Sequence, residues 1–153
     1  MNLAIDVKDF DINSVFFQKP ITNTVIDNSD FIRILYSNDL MILNGIYIKI
    51  KLDIKSVETF YNKYKCIFTI AENQDVINKI QSIENLILER YTSNKTKKKK
   101  IYEQINSCYL KIFTDNMINP NKIPNYFTLK ISGIWETNTD CGITYKFITI
   151  NHQ

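Results

Sequence analysis

Between residues 45 and 54 the chain reads GIYIKIKLDI, and apolar and polar positions alternate without a break. Ile46, Ile48, Ile50, Leu52 and Ile54 fall on one side, with Tyr47, Lys49, Lys51 and Asp53 on the other. A period of two marks a strand with one face in a core and the other in water. FIRILYS (31–37), TNTVID (22–27) and KCIFTI (65–70) are expected to be further strands.

The period then changes. In NQDVINKIQSIENLILERY (73–91), Val76, Ile80, Ile83, Ile87 and Tyr91 recur every three or four residues, and Ile77 and Leu88 widen the stripe. This predicts one long amphipathic helix. Asn73 is its expected N-cap, while Asp75 in the first turn and Arg90 in the last suit the helix dipole.

TSNKTKKKK (92–100) reads as a polar, lysine-dense loop, IYEQINS as a short helical turn, and CYLKIFT (108–114) as a strand. Pro120 and Pro124 mark a surface connection. Two strands close the chain, YFTLKISGIWE (126–136) and GITYKFITI (142–150), joined by TNTDC. Parity groups Phe127, Leu129, Ile131, Gly133 and Trp135 on one face, with Lys130, Ser132 and Ile134 opposite, so Trp135 is expected in the core. Lys146 lies opposite Tyr145 and Phe147 in the same way, which puts Lys130 and Lys146 on the polar side. How near they sit depends on register, and like charges close together on a sheet are unfavourable unless an anion bridges them.

The pattern predicts one mostly-β (α+β) domain over residues 1–153: an OB-like barrel with one long helix between strands, or else a helix-capped sandwich. Composition agrees with a globular chain, 44% hydrophobic and 23% charged. No apolar run is long enough to span a membrane, and the N-terminus lacks the pattern of a secretory signal, so an intracellular location is expected. Cys66, Cys108 and Cys141 are widely spaced and odd in number, which reads as free thiols rather than a disulfide framework. The 27 Ile, 18 Asn and 17 Lys reflect AT-rich coding, so lysine abundance alone says little about nucleic acid. Position says more, because residues 77–153 carry 11 basic and 6 acidic groups against 8 and 10 in residues 1–76.

Several chemistries lack their parts. The single histidine, His152, is a poor base so near the chain end, and three separate glycines cannot build a phosphate-cradling loop. No zinc-ligand spacing exists, and no metal or other cofactor is expected. An enzyme is not expected, with a carboxylate–metal nuclease the least favoured alternative.

Binding residues are easier to find. Lys95, Lys97, Lys98, Lys99 and Lys100 would neutralise phosphates from one loop. Tyr47, Lys49 and Lys51 share a strand face, as do Tyr109, Lys111 and Phe113, and Lys130 and Lys146 add charge. Aromatic rings and lysines on one face suit single-stranded nucleic acid, in which every base offers a stacking surface and every phosphate a charge. Two arginines in the whole chain argue against bidentate base reading, so binding would be indifferent to sequence. Amphipathic strands with wet lysines also occur in proteins that bind nothing, and a structural or scaffold role in a virion or complex is the alternative.

FIRILYSNDLMILNGIYIKI, INKIQSIENLILERY and LKISGIWETNTDCGITYKF together resemble proteins of nucleocytoplasmic large DNA viruses that are similar to the phage T7-type single-stranded DNA-binding proteins. The resemblance runs from about Phe31 to Ile150 and rests on LNGIY, GIWET and GITYKF within looser hydrophobic patterns. It implies an OB-fold replication factor in a viral factory of the host cytoplasm or in a virion. Such a factor would bind single-stranded DNA during replication or recombination, with a homo-oligomer and replication proteins as possible partners. The phage-type proteins end in an acidic tail with a terminal aromatic, whereas this sequence ends ITINHQ, so recruitment by that route is not expected.

Overall fold

The computed structural model describes residues 4–113 and 123–149. His152, Pro120 and the ITINHQ ending beyond residue 149 lie outside the described residues.

The alternating segment forms β6 (Ile46–Lys51), one of twelve strands in a mixed sheet. Before it come β1 (Ile5–Asp6), β2 (Val15–Phe17), β3 (Ile21–Thr22), β4 (Asp30–Ser37) and β5 (Ile42–Asn44). After it come β7 (Ile54–Phe60) and β8 (Lys63–Phe68), then helix α1 (Gln74–Arg90), β9 (Thr96–Lys98) and helix α2 (Lys100–Asn106). The chain closes with β10 (Tyr109–Phe113), β11 (Tyr126–Glu136) and β12 (Asp140–Thr149).

Hydrogen bonding orders the sheet β1-β6-β11-β12-β10-β8-β7, with β4 joined to β11 and carrying β2, β3 and β5. The path is open: among the described residues no ladder joins β7 to the far strands. The mostly-β, α+β expectation therefore stands as a mixed sheet with one long helix.

That helix covers one face of the sheet. Ile77, Ile80, Ile83, Ile87 and Leu88 of α1 are buried with Ile46, Ile48 and Ile50 of β6, Leu110 and Ile112 of β10, and Phe127, Leu129 and Ile131 of β11 in a single core. Each fully buried isoleucine or leucine side chain contributes about 1.5–3 kcal/mol relative to exposure. Alternation makes this possible, because every second residue of β6, β10 and the first half of β11 points into this core and the residues between them point to the other face.

Two features bend the sheet. Gly45 has φ +100°, and a Cβ there would stand 2.9 Å from the carbonyl oxygen of Ile131, so residues 42–51 turn a corner that only glycine allows. One side of the corner, β5, pairs with β4; the other, β6, pairs with β11. Opposite this corner β11 carries a bulge: Ile131 pairs with Tyr145 but Gly133 pairs with Thr144, leaving Ser132 as the extra residue. There β11 also exchanges its neighbour β6 for β4.

The bulge overturns the expected parity. Before it, odd-numbered residues of β11 face α1; after it, Ile134 is fully buried and Trp135 is only half-buried on the opposite face. Trp135 is thus not a core residue.

Other expectations shift locally. Of TNTVID only Thr22 enters a strand, the two-residue β3, because Asn23 Oδ1 accepts from the backbone N–H groups of Val25 and Ile26 and curls the chain into a turn. Asn73 occupies the N-cap position of α1 without capping it. Its buried amide instead accepts from Asp53 N–H at 2.8 Å and donates to Thr69 C=O at 2.9 Å, tying the start of the helix to the β6–β7 connection. Cys108 sits at φ +64° between α2 and β10 rather than in the strand. All three cysteines are free, and burial pushes the Cys66 thiol up to about 12.

Candidate nucleic-acid interface

The face of the sheet turned away from α1 is built by the outward residues of β7, β8, β10, β12, β11 and β6. Register places them side by side. Lys65 of β8 is opposite Lys111 of β10. Ile112 is level with Phe147 in the parallel β10–β12 pair, which sets Lys111 beside Lys146. Lys146 is opposite Lys130 of β11, and Lys130 is opposite Tyr47 of β6. Four lysines thus stand in one row across four adjacent strands, a span of about 14 Å at the usual strand spacing. Glu58 of β7, opposite Lys65, closes the row at one end and Tyr47 at the other.

A second row runs beside it. Phe60, Lys63 and Phe113 are neighbours across β7, β8 and β10, and Thr128 and Lys49 continue across β11 and β6. Lys51 and Tyr126 lie opposite each other at the margin.

Rings and ammonium groups interleave at contact distance. Lys65 Nζ is 4.8 Å from the centroid of Tyr109 and 6.0 Å from that of Phe60. Lys63 is 5.1 Å from Phe113, Lys130 is 5.6 Å from Tyr47, and Lys49 is 5.1 Å from Tyr126. Cation–π contact supplies part of what holds these lysines upright, about 0.5–1 kcal/mol at an exposed site. Carboxylates do not: the ion pairs among the described residues are Lys55–Glu72 and Lys100–Glu103, both away from the rows. Between Phe60, Lys63, Lys65, Tyr109 and Lys111 lies a shallow cavity of about 160 Å³.

Tyr47, Lys49, Lys51, Tyr109, Lys111, Phe113, Lys130 and Lys146 all belong to this face. The lysine loop does not form the single flexible patch that its sequence suggests. Lys97 and Lys98 lie in β9, which runs parallel to the start of β12 with Lys97 level with Cys141 and Lys98 with Gly142. Lys95 Nζ donates to the Asn138 carbonyl at 2.8 Å, Lys99 is the N-cap residue of α2, and Lys100 pairs with Glu103 at 3.3 Å. The run is dispersed because alternation in a strand and the start of a helix send successive residues in different directions.

Sequence reasoning missed Lys63, Lys65, Phe60 and Tyr126. The signal for the first three was present in FYNKYK, where rings and lysines alternate around a turn. Its strands are short of apolar residues because β7 is an edge strand, exposed along much of its length.

On the helix side, Glu84 of α1 is fully buried, and its two oxygens accept from the backbone N–H groups of Ile101 (2.8 Å) and Tyr102 (2.9 Å). It caps the N-terminus of α2 from another helix. Burial raises its pKa, opposed by those two hydrogen bonds and by Lys99. Tyr145, whose hydroxyl donates to the Lys100 carbonyl at 3.2 Å, is pushed up to about 12 by burial and by the nearby Glu84 and Glu103. Among the described residues no group of three His, Cys, Asp or Glu is arranged to hold a metal ion, and no helix is long and apolar enough to cross a membrane.

No family model, curated protein or solved structure matches the chain.

Proposed function

We propose that the chain is a non-catalytic, sequence-independent single-stranded DNA-binding protein, acting in viral replication or recombination, and that the outward sheet face is its binding surface. The observation that carries this reading is the row Lys65–Lys111–Lys146–Lys130, which places two like-charge pairs directly across two ladders. Such pairs oppose folding, and a polyanion lying on the row relieves them. The interleaved Tyr47, Tyr109, Phe113, Phe60 and Tyr126 supply stacking surfaces, each worth about 1–3 kcal/mol per base. Lysine without arginine in the rows favours phosphate contact over base reading. A bent sheet packed on one long helix supports an OB-like fold, and the open strand path sets it apart from a closed barrel.

A second reading is a scaffold role through protein contacts. It draws on the β4–β5 hairpin, where Leu40 is 89% and Ile42 71% exposed, with Phe16 of β2 half-exposed nearby.

Fluorescence anisotropy of labelled oligo-dT separates the readings. Measured at low and moderate salt, with and without magnesium, it is expected to show saturable binding that weakens steeply with salt and is not displaced by duplex DNA. Affinity unchanged by salt, or equal affinity for duplex, defeats the proposal; magnesium-dependent cleavage would make the chain a nuclease.

A further inference from the structure

The bulge at Ser132 sends Trp135 to the same face as the lysine rows, where it stands opposite Phe31 of β4 and Gly142 of β12. Both rings lie over glycines. A Cβ on Gly133 would meet the Phe31 ring at 2.7 Å, and one on Gly142 would meet the Trp135 ring at 2.7 Å. Each ring therefore packs against the bare backbone of a neighbouring strand. Both side chains are half-buried, so each leaves part of its ring open to solvent.

Positive charge leads from the rows to these rings. Arg33, exposed and opposite Gly133, has its guanidinium 5.9 Å from the Phe31 centroid, and Lys98 is level with Gly142 on the other side. Lys146 and Gly142 are four residues apart on β12, about 13 Å. Asp140, two residues before Gly142 on β12 and level with Thr96 of β9, ends the path as Glu58 ends the row.

We propose that Phe31 and Trp135 form a second nucleobase-stacking platform, with Arg33 and Lys98 taking the adjoining phosphates, so that one strand crosses the lysine row and then follows β12 to the tryptophan. This inference rests on the binding role proposed for the face. It assigns to the only tryptophan contact with a long strand and not with a short one, since the path from Lys65 to Lys146 and on along β12 runs about 23 Å.

The test uses unlabelled oligo-dT of about 4 and about 16 nucleotides, the limits of site size for a small single-strand-binding domain. Tryptophan emission is read beside anisotropy of the labelled strands. The longer strand is expected to quench Trp135 in step with saturation, and the shorter to bind the row without quenching. Phe31→Leu should weaken the longer strand about 5- to 150-fold, the loss of one stacked base, and leave the shorter unchanged. Arg33→Gln, at an exposed position, should weaken only the longer strand as well. Saturable binding of the long strand with undisturbed tryptophan emission, or with parental affinity in both variants, overturns the platform and leaves the row standing. Absence of binding by either strand in anisotropy overturns the row and the platform together.

Discussion

Lys130 and Lys146 face each other directly across the β11–β12 ladder, neither ion-paired to a carboxylate among the described residues, and with Lys111 next in line. A fold selected only for stability would place opposite charges there. Lys146→Glu is therefore expected to raise the unfolding free energy by about 0.2–1 kcal/mol, toward the low end because Lys146 is exposed. The same change should lower oligo-dT affinity about tenfold or more at low salt, since one contact becomes a repulsion. Urea titration and anisotropy on one preparation give both numbers; a variant that loses stability and keeps affinity refutes this account of the row.

Salt dependence tests the row as a set. Each phosphate contact to a single strand contributes about 0.7 to the slope of log affinity against log salt. Replacing Lys65 and Lys111 together by Gln should reduce that slope by about 1.4, while Lys100→Gln, whose charge already pairs with Glu103, should leave it nearly unchanged. Equal reductions from both would return Lys100 to the binding surface.

Glu84 links folding to pH. Its pKa is raised in the folded state, so its contribution to stability is fully present below the unfolded carboxylate value and is lost as pH rises through the folded value. Glu84→Gln removes this titration and should flatten the stability profile upward from about pH 4.5. It also leaves one of the two N–H groups of Ile101 and Tyr102 without its acceptor, a loss of about 1–3 kcal/mol. Glu84→Ala exposes both and should cost more. Thermal melts across pH 4–8 report the profile, and an unchanged slope in the Gln variant rules this linkage out.

The two glycines beneath the aromatic rings should respond unequally to alanine. At Gly133 the new methyl collides with the backbone carbonyl of Ile32 as well as the Phe31 ring, and neither β4 nor β11 can yield. At Gly142 it meets mainly the Trp135 ring, with Lys98 C=O at 3.0 Å. Gly142→Ala is expected to cost about 1–3 kcal/mol and to shift tryptophan emission, and Gly133→Ala to cost more. Equal melting temperatures for the two would contradict the contacts.

The sequence made the long elements legible because their signals are periodic and local. Helix α1 ends within a residue of its expected limits, and β4, β10, β11 and β12 fall where alternation puts them, whereas β6 stops at Lys51 and Ile54 of the expected strand opens β7. Three other features depend on contacts distant in sequence. The strand at residues 96–98 forms because β12 offers it an edge, not because a run of lysines favours extension. Asn73 gives up the helix cap to Asp53 and Thr69, which lie on other elements. The face reached by Trp135 was misread because strand parity holds only while no residue is inserted, and TLKISGIWE carries no mark of the insertion beyond one glycine. For the candidate site, the residues on two strands were readable and their assembly was not, because four of the lysines meet only through ladder register.

Ser132 bears neither ring nor charge, yet it acts as a frameshift written in space. Take it out, and every side chain from Gly133 to Glu136 changes surface at once: Ile134 would be stranded in water and Trp135 driven into the hydrocarbon interior. Glu136, now bonded by the hydroxyls of Tyr91 and Ser93 at 2.8 and 3.1 Å, would be carried away from both. One inconspicuous serine thus decides which of two chemistries the far end of the longest strand presents to the outside world.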